Sequence, residues 1–444
     1  MQSKRKKISY EMTILPPLET LIPDDHRLRK MNRVLDLSFV HDEVRDRYCE
    51  DNGRPSIDPE VVLRLFLLQA IEGIRSVREL MREVQVNLAY RWFIGYRVDE
   101  PLPDHSTLSR ALDRFGDEVF DKLFSRSVSQ CQVSGLIEGR VLHVDATTIR
   151  ADLDANKVCH PGSPDADARF GRFGDGSKRP GYKQQTVVDD GSRVVLGISV
   201  TAANGADERA LVKMVDEASE RMEAKPEAVC ADGAYSSGRN QAEMERRGIQ
   251  LVSPPQPEPY GSGGFAVGRF DYDESRDQFV CPAGVTLKYA GDVSGEPGKR
   301  RYRAAREECA GCRLKVHCTK APQRQVVVGK YHGALQRLRV QSKTESFRRL
   351  YRARAPVIEG IFAEGKQWHG LGRAWRRGLA KMRIQCLLIA AVLNFKRLIA
   401  VFWTIFTPFR GEFSIRIRLS IIGALITALF ARSSNQTIIP VLIL

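Results

Sequence analysis

The chain is short of acidic residues relative to basic ones. Its 444 residues contain 54 Asp and Glu against 69 Lys and Arg, a formal net charge of +15. That excess disfavours a small neutral substrate and predicts a polyanionic partner, either nucleic acid or an acidic membrane surface. Apolar residues still make up 43% of the chain, which is too many for a disordered protein. The length predicts two or three folded domains.

Targeting signals and membrane-length hydrophobic runs are also missing from the two ends. The first ten residues carry four cations with no apolar segment behind them, so we expect no secretory signal. Residues 419–430 and 437–444 are apolar, but each run is shorter than the roughly 20 residues that cross a bilayer. We interpret the tail, 401–444, as a variable extension of unknown structure, with a membrane-surface anchor as the alternative. Nine cysteines, an odd number in a long chain, favour a reducing cytoplasm.

The positive charge is concentrated toward the C-terminus. Residues 337–397 contain 15 Lys and Arg and three Glu, which leaves a local net charge of +12. Because ordinary exposed helices intersperse both signs, this bias favours contact with phosphates over a solvated helical face. Three of the candidate DNA contacts stand among glycines, where the backbone can approach a duplex. The candidate DNA contacts are Arg352, Lys366, Arg373, Arg376 and Arg377.

Helical periodicity dominates the first part of the chain. Apolar spacing over residues 28–133 predicts an all-α domain, which we place at 1–135. Asp58 and Asp104 are helix-start signals. The short helices could form a helix-turn-helix-like DNA reader or a plain scaffold, and the sequence leaves both open. The arginines on these helices are Arg64, Arg75, Arg78, Arg82 and Arg91.

From residue 136 the pattern changes to strands. Strands and helices alternate in the order βββαβαβ over residues 136–254, which predicts a mixed sheet flanked by helices. The stretch 169–181, rich in Gly and Arg, is expected to be a loop. Residues 255–325 are Gly-rich and indicate a loop-like insertion, after which a helical part, 326–400, completes the domain that began with the strands. Strands are expected at 141–146, 182–188, 194–201, 228–231 and 249–253, with helices at 207–222 and 239–247.

Three acids stand where an acid is unusual. Asp145 lies inside an apolar strand, where an unpaired carboxylate is costly to bury. Asp232 ends a later strand, at the edge where α/β sheets place their sites, although a lone Asp there is more often a helix N-cap. Glu359 stands in the basic region, and seven-residue spacing puts it on one helix face with Arg352 and Lys366. Carboxylates in such a set are suited to hold Mg²⁺ for in-line attack on a phosphodiester.

These segments resemble the signature of DDE transposases of bacterial insertion sequences. The resemblance is carried by HVDATTIRA around Asp145, CADGAYSS around Asp232 and IEGIFAEGKQWHGLGRAWRRGL from Ile358 onward, and it extends over residues 9–399. It implies an RNase H-like mixed-sheet core, with an all-α N-terminal domain and a small cysteine-rich insertion. In that core Asp145, Asp232 and Glu359 would be the catalytic acids that hold Mg²⁺ or Mn²⁺.

One part of the family pattern is altered here. Relatives carry Tyr, Arg, Glu and Lys at fixed spacing around the last acid, and Lys366 fits that spacing. Positions 352 and 355 instead hold Arg352 and Ala355, so we expect Arg354 or Arg352 to take the role of the Arg.

The resemblance also implies a function. A transposase would cleave the transposon ends and use the freed 3′-OH to attack target DNA. Its partners would be terminal inverted repeats, target DNA and a second copy of itself, in the bacterial cytoplasm and away from membranes. Two alternatives stay open: a catalytically inactive, transposase-derived DNA-binding protein, and a nuclease that cuts without joining.

Four cysteines are clustered within the insertion. Cys281 precedes a C-x-x-C pair, Cys309 and Cys312, and Cys318 follows, a set that resembles a Zn²⁺ site. The alternative is reduced cysteines in a loop; a subgroup of the resembled family with such an insertion supports the zinc site. The remaining five cysteines are interpreted as small hydrophobes. His143 and His369 could approach the acids, although a lone His is more often structural.

Overall fold

The computed structural model describes residues 16–49, 56–257 and 264–406. The basic N-terminal residues and nearly all of the predicted tail lie outside the described residues. The regular structure of residues 16–135 is helical, as predicted, and two of its helices begin at the expected caps. Asp58 Oδ1 accepts the Glu60 N–H at 2.7 Å, and Asp104 Oδ1 accepts the Ser106 N–H at 2.8 Å. The helices are α1 Leu18–Leu21, α2 Arg27–Val34, α3 Val40–Val44, α4 Pro59–Glu72, α5 Val77–Val86, α6 Leu88–Ile94, α7 His105–Phe115 and α8 Glu118–Val133.

The central sheet has the predicted alternation of strands and helices. Its spatial order is β4-β3-β1-β5-β6, in which β3 and β4 are antiparallel to their neighbours and β1, β5 and β6 are parallel. This mixed arrangement confirms the expected RNase H-like core. The strands are β1 Val141–Arg150, β2 Arg169–Arg172, β3 Lys178–Asp189, β4 Val195–Ala202, β5 Ala228–Ala231 and β6 Gln250–Val252, and the helices are α9 Leu211–Met222 and α10 Gly238–Arg246.

The prediction of a loop at 169–181 is wrong. Arg169–Arg172 forms β2, which pairs with the beginning of β3 at Lys178–Gly181. Gly181 is required at this crossing because a Cβ there would lie 2.3 Å from the Ile149 carbonyl oxygen of β1. The glycine that suggested a loop therefore permits a close approach of two strands.

The insertion is folded rather than loop-like, which corrects that part of its prediction. Residues 271–329 form a five-stranded antiparallel sheet in the order β11-β10-β9-β8-β7. Its core is small but complete, since Phe279, Leu287 and Tyr302 are fully buried between the sheet and the cysteine-bearing segment. The elements are β7 Asp271–Asp273, β8 Gln278–Val280, β9 Thr286–Asp292, β10 Lys299–Arg303, α11 Arg306–Ala310, α12 Lys315–Cys318 and β11 Gln325–Gly329.

Three helices complete the fold: α13 His332–Gln341, α14 Glu345–Trp368 and α15 Leu379–Phe406. Helix α15 packs between β4 and the N-terminal helices α2, α4 and α8. Within the described residues, its stretch Leu379–Phe402 is the one helical segment long and apolar enough to cross a membrane, and most of that stretch is buried inside the fold. Such burial is typical of the central helix of a folded core.

Asn394 of α15 is a buried asparagine that hydrogen-bonds both to the N-terminal helical domain and to the central sheet. The Asn394 side chain is fully buried, its Oδ1 accepts the Val195 N–H at 2.8 Å, and its Nδ2 donates to the Val195 carbonyl oxygen at 2.9 Å. The same Nδ2 donates to Ser127 Oγ of α8 at 3.1 Å. This network connects the helical domain to the end of β4.

Candidate active site

Strand register brings two of the predicted acids together. Strands β1 and β5 are parallel and pair Val144 with Ala231, so the next residues, Asp145 and Asp232, stand side by side at the sheet's centre. The pKa of Asp145 is raised above its ordinary value, first by burial and also by the neighbouring Asp232 carboxylate. Two carboxylates in such proximity repel each other unless a cation lies between or beside them.

A cation does lie beside Asp145. Arg354 Nη1 of α14 donates to Asp145 Oδ2 at 2.5 Å, and the two side chains are only 11% and 19% exposed. Arg354 lowers the pKa of Asp145, but burial outweighs that effect. Of the two arginines that the sequence offered for the altered family position, Arg354 is the one at the acids. Arg352 is exposed and donates to the carbonyl of Arg348 on its own helix.

Glu359 is on the same helix but does not join the aspartate pair. Helix α14 packs on β1 and β5 through its buried face, which carries Arg354, Ile358 and Ile361. Glu359 is exposed on the flank of α14 with Arg352 and Lys366, the face that their spacing predicts. Across the described residues, no group of three or more His, Cys, Asp or Glu side chains is arranged as a metal site. The structure thus brings together two of the three acids.

Asp232 has the local role of a cap as well. Its Oδ1 accepts the Ala234 N–H at 2.9 Å, at the start of the short 3-10 helix Gly233–Tyr235. The N-cap interpretation and the site interpretation therefore both apply to this residue.

Tyr235 is a member of the site that the sequence did not indicate. Burial and the carboxylates of Asp207, Asp145 and Asp232 raise its pKa well above the ordinary value. Its hydroxyl is buried and, within the part of the chain that the structure describes, has no hydrogen-bond partner. An orphaned hydroxyl close to two carboxylates is suited to contact water or a ligand there. Its only sequence signal was its position three residues after Asp232.

The two candidate histidines are structural. His143 is fully buried, and its Nε2 lies 2.6 Å from Asp190 Oδ1. His369 is buried, and its Nδ1 lies 2.9 Å from the Ala70 carbonyl oxygen of α4.

Glu364 forms ion pairs with Lys396 and Arg397 of α15. Burial raises the pKa of Glu364, yet the hydrogen bonds from these two cations outweigh it and leave the pKa lowered.

The basic region is less uniformly positive in space than in sequence. With partners counted among the described residues, at least seven of its 15 cations pair with carboxylates, most of which come from distant parts of the chain. Arg373, a candidate DNA contact, pairs with Asp152, and its loop is fixed to the end of β1 because the Arg150 N–H donates to the Gly372 carbonyl at 3.2 Å. The paired residues are Arg337, Arg354, Arg373, Lys381, Arg383, Lys396 and Arg397.

Arg376 and Arg377 differ in their surroundings. The Arg376 guanidinium lies 5.1 Å from the centre of the Phe66 ring, and burial lowers its pKa to about 10. Its buried Nη2 has no hydrogen-bond partner among the described residues. This position disfavours the predicted phosphate contact for Arg376, since packing against α4 already occupies the side chain. Arg377 is exposed.

The N-terminal arginines also divide into two groups. Arg64 donates to Asn32 and to the Phe93 carbonyl, and Arg91 donates to the Arg97 and Glu100 carbonyls, so both hold the helical domain together. Arg75 precedes α5 and is exposed, as are Arg78 and Arg82 on that helix. Of these five arginines, the second group is the exposed one.

The four cysteines of the insertion line one cavity, although within the described residues their thiols are not arranged as a metal site. The Val285 N–H donates to Cys281 Sγ at 3.4 Å, and Cys309 and Cys318 are buried. Burial raises the pKa of Cys318, and the other three thiols raise it further. Of the five remaining cysteines, Cys131, Cys230 and Cys386 are buried as expected, whereas Cys49 and Cys159 are exposed, which corrects the interpretation of those two as core residues.

Comparison with known families agrees with this arrangement. Residues 16–114 match the family described as a transposase domain (DUF772), and residues 280–399 match the family described as a transposase DDE domain. Both matched ranges are transposase domains, and together they support a DDE-type transposase. The second match includes Glu359 and all four insertion cysteines, whereas Asp145 and Asp232 lie outside both matched ranges. The assignment of these two acids therefore depends on strand register.

Two solved transposase structures align with the chain at low identity. The piggyBac transposase synaptic complex with hairpin DNA is 10% identical, with a TM-score of 0.33, over 91% of this chain and 80% of that one. The Mos1 transposase paired-end complex with the left transposon end is 13% identical, with a TM-score of 0.17, over 45% of this chain and 61% of that one. No curated protein matches the chain in sequence.

Proposed function

We propose that this transposase cleaves DNA at the ends of its element and joins the freed 3′-OH to target DNA, using Asp145, Asp232 and Glu359 as metal-holding acids. The observation that carries the proposal is the pairing of β1 with β5, which puts two carboxylates side by side in a partly buried position. The charges of these two carboxylates also raise the pKa of Tyr235, whose buried hydroxyl has no hydrogen-bond partner among the described residues.

The protein's own residues have distinct roles in this proposal. Asp145 and Asp232 would hold Mg²⁺ or Mn²⁺, which when bound supplies charge stabilisation for phosphodiester displacement. Arg354 balances the Asp145 charge and fixes α14 against β1. Glu359 lies apart from the aspartate pair in this structure, so it would have to approach the pair from α14 to supply the third carboxylate. Pro356 stands between Arg354 and Glu359 and cannot donate to the carbonyl of Arg352, so the helix is weakest at this point.

DNA would pass along the exposed flank of α14. Arg348, Arg352 and Lys366 are exposed there on the same side as Glu359. Cations beside a catalytic acid would bind the phosphates that flank the reacting one. Together with Arg373 and Arg377 in the following loop, they form the proposed DNA contact, and two protomers would hold the two ends of the element.

The insertion cysteines would hold Zn²⁺ as a structural ion. Four thiols around one cavity, with a backbone N–H donated to one sulfur, fit the donor set of a closed zinc site. Deprotonation would be needed at all four, and the raised pKa of Cys318 makes binding dependent on pH.

A transposase-derived DNA-binding protein without catalysis is the second candidate. The Arg354–Asp145 ion pair favours it, because it already occupies one carboxylate oxygen of the site.

The decisive experiment incubates purified protein with a plasmid that carries the coding sequence and its flanking DNA, with Mg²⁺, Mn²⁺ or EDTA. Metal-dependent breaks at the ends of the element and joined products are expected. Binding without cleavage in either metal would favour the second candidate, and breaks without joined products would indicate a nuclease.

A further inference from the structure

The outer face of the insertion sheet carries a group of cations with no structural task. In an antiparallel sheet, residues paired across strands lie on the same face. Arg303 of β10 pairs with Lys288 of β9, and Arg301 of β10 pairs with Val327 of β11. All four therefore share one face, which is opposite to the face that buries Tyr302 and Leu287.

The inner face is closed by the cysteine-bearing segment, whereas the outer face is partly open, with Arg301 and Arg303 half-buried. Cys309 and Cys318 pack with Phe279 and Leu287 in the core of the insertion. On the outer face Lys288 is exposed, and Val327 is 42% exposed although it is a large apolar residue.

The outer cations differ from their neighbours in lacking acidic partners. Arg300, on the inner side of β10, pairs with Asp277, and Lys299 at the end of the strand pairs with Glu296. Within the described part of the chain, Lys288, Arg301 and Arg303 form no ion pair, and the buried Arg303 Nε has no hydrogen-bond partner. Three cations without an acidic partner therefore lie on one face of two neighbouring strands.

The positions of these cations also destabilise the insertion sheet when no partner is bound to it. Like charges directly opposite each other on neighbouring strands, as Lys288 and Arg303 are, destabilise the pairing. The acids on this face within the strands, Asp271 and Asp273, belong to β7, two strands and about 10 Å away from β9. A polyanion laid across β9 and β10 would relieve the repulsion.

We infer that the outer face of the insertion sheet, defined by Lys288, Arg301, Arg303 and Val327, is a binding surface for the phosphate backbone of duplex DNA. This inference rests on the proposed function, because it takes its partner from there, and it adds a second contact outside the α14 flank. The surface reads no sequence, since its cations would contact phosphates on either strand. A structural Zn²⁺ on the other side would keep the sheet rigid beneath the DNA.

The test is a matched pair of charge-reversal variants in the full-length protein. Lys288→Glu combined with Arg301→Glu alters the outer face. Arg313→Glu combined with Lys320→Glu makes the same charge change at exposed positions of the cysteine-bearing segment. Each variant binds a fluorescein-labelled, random-sequence DNA duplex, and anisotropy is followed over a series of KCl concentrations.

The outer-face variant is expected to lose about tenfold or more in affinity and to flatten the slope of log affinity against log salt by about two units. The control is expected to retain affinity within about twofold and to keep its slope. Equal losses of DNA affinity in both variants, or no loss in either, would overturn the inference that the outer face binds DNA, while leaving the proposed function intact. If the wild-type protein fails to bind the duplex, both proposals fail.

A single substitution separates binding from folding. Lys288→Glu converts the repulsion with Arg303 into an attractive cross-strand pair, so its melting temperature should equal or exceed that of the wild type while its DNA affinity falls. A lower melting temperature with unchanged affinity would overturn the inference.

Discussion

Arg354 and Asp145 are separated by 209 residues in sequence and form the ion pair that fastens α14 to the central strand β1. Both side chains are largely buried, so each is costly to leave without the other. Asp145, the acid proposed to hold the metal, therefore also stabilises the packing of α14 on β1.

Arg354→Gln is expected to lower the free energy of unfolding by about 3–5 kcal/mol, since it leaves the Asp145 carboxylate buried and unpaired. The pKa of Asp145 is already raised by burial, and loss of Arg354 raises it further. A carboxylate with a raised folded-state pKa is destabilising when ionised, so the deficit should shrink as the pH falls. Urea denaturation at several pH values measures this, with Arg352→Gln as the exposed control. Equal stability of the two variants would contradict the ion pair's role.

Removal of Arg354 should also change the pH profile of cleavage. A higher pKa means that Asp145 takes up its proton at higher pH, and a protonated carboxyl is a poor metal ligand. In any Arg354→Gln protein that still cleaves, activity should therefore disappear earlier on acidification than in the wild type. If the acidic side of the cleavage pH profile is the same in the variant and the wild type, Asp145 does not bind the metal.

Asn394→Ala should destabilise the protein by about 2–4 kcal/mol, because it leaves the buried N–H and C=O of Val195 without partners. Thermal unfolding measures the loss, and Gln367→Ala on the exposed side of α14 is the control. A loss under about 0.5 kcal/mol would mean that Asn394 does not connect α8 to β4.

Elemental analysis of the purified protein should find about one zinc per chain. Cys309→Ser should remove it and lower the melting temperature, because the insertion has only a small core of its own. Cys159→Ser, at an exposed cysteine, should change neither quantity. Wild-type protein that is folded and free of zinc would contradict the site.

The neighbouring arginines of the α14–α15 loop should respond in different ways. Arg377→Ala should flatten the slope of log DNA affinity against log salt by about one unit, with little change in melting temperature. Arg376→Ala should lower the melting temperature, since it removes the guanidinium from the Phe66 ring, and should leave the slope nearly unchanged. The reverse result would restore Arg376 as the phosphate contact.

Local pattern was sufficient to predict five of the six strands of the central sheet, but it missed β2. The short β-branched runs around Asp145 and before Asp232 are strands, and the structure shows that they are parallel neighbours. The partners of the cations could not be predicted, because Asp145 and Asp152 approach Arg354 and Arg373 only after the chain has folded.

The insertion was mispredicted for a different reason. Its strands are short, and four of the five residues of β10 are Arg or Lys, so little apolar periodicity marks them. They fold as a sheet because Phe279, Leu287 and Tyr302 meet across strands. Glu359 illustrates the limit for the site: its seven-residue spacing predicted its face of α14, but nothing local showed that Arg354 would be the residue in contact with Asp145.

The central claim is that Asp145, Asp232 and Glu359 form one metal-dependent cleavage site. The most direct measurement compares Mg²⁺-dependent cleavage of element ends by the wild type and by Asp145→Asn, Asp232→Asn and Glu359→Gln, with Asp271→Asn as an exposed control. Each site variant removes a charge without changing the side chain's shape, so cleavage should fall by about a hundredfold or more while binding to the ends stays within about twofold. Cleavage within about tenfold of the wild type in any one of the three would contradict the assignment of that acid.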